Sequence, residues 1–92
     1  MTEVKQSGNN FELFVDGKKA GLMNFQTREN GDINIVHTEV DDEFGGQGLG
    51  KELVDAAVNL ARTTQKKLTS SCSYAKSVLE KDADVADVYD KN

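Results

Sequence analysis

The densest chemical signal in the chain is the run Gly45-Gly46-Gln47-Gly48-Leu49-Gly50, followed by Lys51. Glycine tolerates positive φ angles and has no Cβ to hold a ligand away from the backbone. Where such a turn opens a helix, the first N–H groups have no intrahelical acceptor and point at a common centre. The helix dipole adds partial positive charge there, so the arrangement suits phosphate or pyrophosphate. Lys51 would add a charge at the rim. The plainer alternative is a flexible loop that ends a strand; the amphipathic helix that follows favours the anion site. The run lacks the Gly-Lys-Ser/Thr ending of a P-loop. It also follows antiparallel strands, whereas a dinucleotide fold places its glycine turn after the first strand of a parallel sheet.

Two further residue types could carry chemistry, and each occurs once: Cys72 and His37. They are too few for an ordinary structural zinc site. A lone cysteine forms no internal disulfide and fits a reducing compartment. By residue type alone Cys72 reads as a small buried hydrophobe, and His37 as a surface or hydrogen-bonded strand residue.

The elements that must position these residues follow from periodicity. Phe11-Glu12-Leu13-Phe14-Val15 is rich in strand formers and ends at Asp16-Gly17, a hairpin dipeptide. Ala20 to Thr27 is the next strand, closed by a second turn at Asn30-Gly31. On the third strand Ile33, Ile35 and His37 alternate with Asn34, Val36 and Thr38. Val4–Gln6 extends the first strand, with Ser7-Gly8-Asn9-Asn10 as a bulge or loop. The period then changes: Leu49, Leu53, Ala56, Ala57 and Leu60 recur at helical spacing, predicting an amphipathic helix from about Gly48 to Gln65. Leu68–Ser73 is a short strand, Tyr74 to Lys81 a shorter helix, and the acidic tail from Asp82 holds one more helical turn. A strand–helix–strand crossover is right-handed and joins parallel strands. The expected fold is therefore α+β: a mixed sheet of a three-stranded antiparallel meander plus one parallel strand, with a long helix and a short C-terminal one.

Bulk properties bound the partners. Ninety-two residues make one domain, 1–92. The net charge of −5 argues against a sequence-independent nucleic-acid binder, which needs basic surface. It is compatible with a basic partner. No apolar run approaches the roughly 18–20 residues of a membrane span. The N-terminus lacks the basic start and apolar stretch of a signal peptide, so a cytoplasmic location is the expectation.

Taken together these segments resemble the GNAT superfamily. Its motif, Arg/Gln-x-x-Gly-x-Gly/Ala between a central strand and a long helix, is matched by Gly45 to Gly50, except that Gly45 stands at the Arg/Gln position. The resemblance implies that Gly45, Gly46, Gln47, Gly48, Leu49, Gly50 and Lys51 surround the pyrophosphate of acetyl-coenzyme A. Glu39 and Val40, in Thr38-Glu39-Val40-Asp41, match the strand end whose backbone pairs with the pantetheine arm. Downstream, the family pattern Asn-x-x-Ala-x-x-x-Tyr matches Cys72-Ser73-Tyr74-Ala75-Lys76-Ser77-Val78-Leu79 at Ala75 only. Cys72 replaces the asparagine, and Leu79 replaces the tyrosine that often protonates the departing thiolate. Chain size, His37-Thr38-Glu39-Val40 and Cys72-Ser73-Tyr74 together are similar to a small, cysteine-containing GNAT-like subgroup.

The resemblance also places Cys72 against the acetyl group, where a thiolate would accept it and pass it to an amine. His37 is the imidazole that would serve as base. Glu39 is the alternative, orienting a water for direct transfer. Tyr74 is read with the cofactor-binding residues, as a proton donor or a half-buried packing residue. Little chain remains to enclose an acceptor, which favours a macromolecular amine, such as a protein lysine or N-terminus. The competing expectations are a non-catalytic acyl-coenzyme A binding module and a protein partner that completes the acceptor site.

Overall fold

A computed structural model describes residues 1–46 and 48–90. Five strands form one sheet in sequence order: β1 (Thr2–Ser7), β2 (Asn10–Val15), β3 (Lys18–Thr27), β4 (Ile33–Val40) and β5 (Leu68–Ser70). The first four pair antiparallel, and β5 runs parallel to β4. Helix α1 (Leu49–Thr64) makes the crossover, and α2 (Ser73–Lys81) follows β5. The expected α+β architecture with its parallel fourth-to-fifth pairing is present.

The N-terminus differs from expectation. Val4 does not extend the Phe11–Val15 strand; it pairs across from Leu13, in a separate edge strand. Ser7 faces Asn10 and Gly8 lies at φ 58°, so the segment read as a bulge or loop is a hairpin turn. The meander therefore has four strands.

One face of the sheet carries Phe11, Leu13, Met23, Phe25, Ile33 and Ile35, all buried. Phe11 and Phe25 stack with ring centres 5.2 Å apart. Helix α1 covers this face with Leu49, Leu53, Val54, Ala57, Val58 and Ala61. Its stripe is rotated slightly from the one expected: Ala56 and Leu60 are half-buried at the edge, and Val54, Val58 and Ala61 take the centre. The helix ends at Gln65, which adopts the left-handed conformation, φ 59°, while Lys66 N–H donates to Ala61 O.

The tail after α2 straps the far edge of the sheet. Leu68 N–H donates to Val88 O and Asp90 N–H to Leu68 O, both at 2.8 Å. Arg62 reaches from α1 to both carboxylate oxygens of Asp87 and to Asp84 O. Val85 and Val88 are buried beneath. At nine residues, α2 is shorter than an isolated helix stable in water. Its position depends on buried Ala75 and Leu79 and on this strap.

Leu53 is fully buried at the centre of the α1–sheet interface. Leu53→Ala is expected to lower the unfolding free energy by about 3 kcal/mol through lost burial and the cavity left behind. Urea denaturation checks this, with the midpoint falling and the slope unchanged.

Candidate active site

The parallel pairing of β4 and β5 is short. It covers Ile33–Leu68, Asn34–Thr69 and Ile35–Ser70, then stops. Ser71 N–H gives Ile35 O the last ladder bond at 2.9 Å; Cys72 N–H then turns back to the same carbonyl at 3.3 Å and to Ser70 Oγ at 3.1 Å instead of continuing along β4. The turn so formed leads the chain away from β4 into α2. A buried polar group supports it from below: Thr69 Oγ1 donates to Asn34 Oδ1 at 2.8 Å, and Asn34 Nδ2 to Ser71 Oγ at 3.1 Å. Beyond Ile35 the edge of β4 has no strand partner among the described residues.

At the same point β4 contains an extra residue. Phe25 pairs with Ile35 and Asn24 with His37, so Val36 is bulged out of the ladder. A bulge shifts the side-chain alternation by one position. Ile35 and Thr38, opposite buried Phe25 and Met23, therefore share the helix-covered face. His37 and Glu39, opposite Asn24 and Leu22, turn to the other face. There His37 Nε2 meets Glu39 Oε2 at 3.3 Å, with both side chains more than half exposed.

A cleft of about 240 Å³ opens along the free edge of β4. Its walls are Thr38, Glu39 and Val40 on one side and Gly46, Gly48, Leu49, Gly50 and Tyr74 on the other. Asp41 N–H donates to Ala20 O on β3. By strand alternation the main-chain groups of Val40 face the cleft instead. Gly46 and Gly48 hold left-handed φ values of 78° and 70°, which bring the chain into α1 without side chains in the way. Among the described residues, the N–H groups of Gly46, Gly48, Leu49 and Gly50 donate to no acceptor. Gly50 admits a close approach: a Cβ there would strike the Tyr74 hydroxyl and lie 2.7 Å from its ring carbon Cζ. Tyr74 thus lies across the start of α1, 43% exposed.

Cys72 stands at the N-cap of α2, partly buried. Its thiol donates to Thr38 Oγ1 at 3.8 Å. Burial pushes the thiol up, and this is outweighed by donors that favour the thiolate: Ala75 N–H, the Thr38 hydroxyl, Tyr74 N–H and Thr38 N–H. The result is a thiol below its ordinary pKa. The Ala75 and Tyr74 donors act as dipoles at a helix start, since no conventional side-chain cap hydrogen bond closes there.

The expected site residues are thus divided. Glu39, Val40, Gly46, Gly48, Leu49, Gly50 and Tyr74 line one cleft, and Cys72 joins it through Thr38. Gln47 lies outside the described residues. Gly45 is turned to another use: its N–H closes the 3-10 turn Asp42–Phe44 by donating to Asp42 O. Lys51 does not line the cleft; its ammonium holds both oxygens of Asp55, one helical turn on, at 3.2 Å. The structure does not bring His37 to Cys72. The bulge at Val36 puts His37 on the face away from Thr38, the residue that touches the thiol. Thr38 itself was absent from the expected set, because unbroken alternation from Ile35 would have pointed it outward.

Residues 10–88 match the family described as GCN5-related N-acetyl-transferase. The fold is similar to the solution structure of a GCN5-like protein from Staphylococcus aureus, at 41% identity and TM-score 0.79, covering 98% of this chain and 89% of that one. It is also similar to the ribosomal-protein-S18-alanine N-acetyltransferase of Escherichia coli, at 24% identity and TM-score 0.65, covering 83% of this chain and 53% of that one. A third likeness is to N-acetylglutamate synthase of Neisseria gonorrhoeae, complexed with coenzyme A and N-acetyl-glutamate, at 19% identity and TM-score 0.65; it covers 87% of this chain and 22% of that one. The last two share the fold, and the chain spans about half and under a quarter of their lengths. No curated protein matches it.

The contact between Gly50 and Tyr74 yields a prediction. Gly50→Ala should displace the Tyr74 ring, which is exposed and free to swing, and leave the fold intact. The gain in helix propensity, up to about 1 kcal/mol, offsets the steric cost. Large shifts of the Tyr74 ring protons with an unchanged or higher melting temperature are the expected result.

Proposed function

The chain belongs to the GCN5-related N-acetyltransferase family, and from that premise we propose that it binds acetyl-coenzyme A in the β4–α1 cleft and transfers the acetyl group to an amine through Cys72. The observation that supports this most directly is the convergence of three features on one cleft. Among the described residues, uncommitted N–H groups open α1 and the edge of β4 is free, and a thiol of lowered pKa stands beside Thr38.

Each feature has a task. The N–H groups of Gly46, Gly48, Leu49 and Gly50 suit the pyrophosphate, aided by the helix dipole. Main-chain groups of Val40 suit the amides of the pantetheine arm, continuing the sheet where β5 leaves it. The fit rests on the missing Cβ atoms at Gly46 and Gly48, around which there is open space.

The transfer then proceeds in two steps. The Cys72 thiolate attacks the thioester carbonyl; a new carbon–sulfur bond forms, the bond to coenzyme A breaks, and coenzyme A leaves as a thiolate that takes up a proton. A neutral amine next attacks acetyl-Cys72, forming the amide, losing a proton and restoring the thiol. Exchange of one thioester for another is close to thermoneutral, so the first step needs no strong driving force. The acceptor is proposed to be an amine carried on a macromolecule. The cleft is an open groove lined by β4, the turn into α1 and Tyr74, and among the described residues no further segment lines it to close over a small acceptor.

One observation favours a non-catalytic binding module instead. Leu79, at the position of the family's frequent acid tyrosine, is 2% exposed and buried in the core, so no proton donor stands there. Intact-mass measurement after incubation with acetyl-coenzyme A separates the two readings. Wild type is expected to gain one acetyl group and Cys72→Ala none, while both show amide shifts at Val40, Gly46, Gly48 and Gly50 on titration with coenzyme A. Shifts without any Cys72-dependent adduct would establish the binding module; absence of shifts would remove both readings.

A further inference from the structure

We infer that Thr38 is the positioning residue for the Cys72 thiol, holding its sulfur through a side-chain hydroxyl that the Val36 bulge delivers. The role rests on the reading of Cys72 as acyl acceptor and adds to it the residue on which the thiol's reactivity depends.

The geometry is specific. Thr38 Oγ1 lies 3.8 Å from Cys72 Sγ, from a strand 34 positions away in sequence. The same residue lines the cleft. Thr38 reaches the sulfur only because the ladder slips between Asn24 and Phe25. Without that slip, His37 would face the thiol and Thr38 would face away. Threonine is suited to the position, since branching at Cβ stiffens χ1 and limits the directions its hydroxyl can take. The hydroxyl accepts from the thiol and, by rotating its proton, donates to the thiolate. It thereby serves both protonation states without moving a heavy atom.

The surroundings leave this contact little competition. The titratable groups on the elements packed around Cys72 are His37 and Glu39 on β4, Lys51, Glu52, Asp55 and Arg62 on α1, and Tyr74, Lys76, Glu80 and Lys81 on α2; all are exposed. The chief influences on the thiol are not these charges but burial and neutral donors. Of these donors the Thr38 hydroxyl is the one supplied by a side chain. It is therefore the one that substitution can remove while leaving the main-chain donors in place.

The test is the pH dependence of Cys72 alkylation by iodoacetamide, followed by intact mass, on the full chain with no acetyl-coenzyme A present. Thr38→Val keeps the shape and removes the hydroxyl; Thr38→Ser keeps the hydroxyl. The midpoint for Thr38→Val is expected to rise by roughly half to one pH unit, the loss of one hydrogen bond to an anion. Below the midpoint its alkylation rate should fall about twofold to threefold, since a more basic thiolate regains in nucleophilicity part of what it loses in population. Thr38→Ser should titrate close to wild type. Coincident curves for wild type and Thr38→Val, with melting temperatures showing both folded, would overturn the assignment, and so would a Thr38→Ser shift as large as that of Thr38→Val. Should Thr38→Val fail to fold, Thr38→Ala carries the same expectation. Failure of the acyl-acceptor reading would show separately, as a missing acetyl adduct in wild type, because the titration uses no acetyl donor.

Discussion

The site depends on one carbonyl. Ile35 O receives N–H groups from both Ser71 and Cys72; the first is the last bond of a parallel ladder of three residue pairs, and the second turns the chain away from it. Had β5 continued along β4, its own backbone would fill the edge that now lines the cleft. A free strand edge is usually a liability, since its unpaired groups invite association with other chains. Here it is short, it faces the start of α1, and it is recessed in a cleft rather than displayed at the rim of the sheet. The Cys72 bond turns the chain so that Cys72 becomes the N-cap of α2, where helix dipoles favour its thiolate.

Stability is arranged around that departure. The β5–α2 turn is anchored by the buried Asn34–Thr69–Ser71 hydrogen bonds below and by the C-terminal strap outside. The polar group is fully satisfied: no buried side-chain nitrogen or oxygen lacks a partner among the described residues. Unpaired polar atoms here would destabilise the one region that cannot loosen without moving the thiol. The strap matters for the same reason. Without it β5 would be an outer edge of three residues, too short to hold a nine-residue helix in a fixed orientation.

Much of this architecture is legible in the sequence, and the parts that are not share a cause. The hairpin turns at Asp16-Gly17 and Asn30-Gly31, the long helix and the parallel crossover follow from turn chemistry and from the change of period after Val40. What periodicity cannot show is a bulge. Val36 in a strand reads as an ordinary β-branched residue, yet its extra position moves His37 out of the site and Thr38 into it. Ala20 does the same on β3, where Leu13 faces Gly21 and Phe14 faces Lys19. Strand β1 is hard to read because its two-residue turn, Gly8-Asn9, sits inside a run of four small or polar residues, and because Thr2–Ser7 is almost wholly exposed and has no apolar alternation. The fates of Gly45 and Lys51 were likewise hidden. Each found a closer partner, Asp42 O and Asp55, that competes with any ligand.

The loss of Lys51 to Asp55 bears on how an anionic carrier would be recognised. The chain has net charge −5, so at long range it repels a polyanion, although salt weakens this beyond about 8 Å at physiological ionic strength. Among the described residues, those lining the cleft include no Lys or Arg. Attraction on the proposed reading must then come at short range, from main-chain donors whose orientation is set by the turn itself. Such donors carry no side-chain entropy to lose on binding, unlike a lysine that must be drawn from solvent into place. They also discriminate by geometry, since several N–H vectors meet in one small volume rather than forming a diffuse basic surface. An acidic domain can therefore hold a diphosphate without gathering other polyanions, such as nucleic acids, whose binding requires extended positive charge.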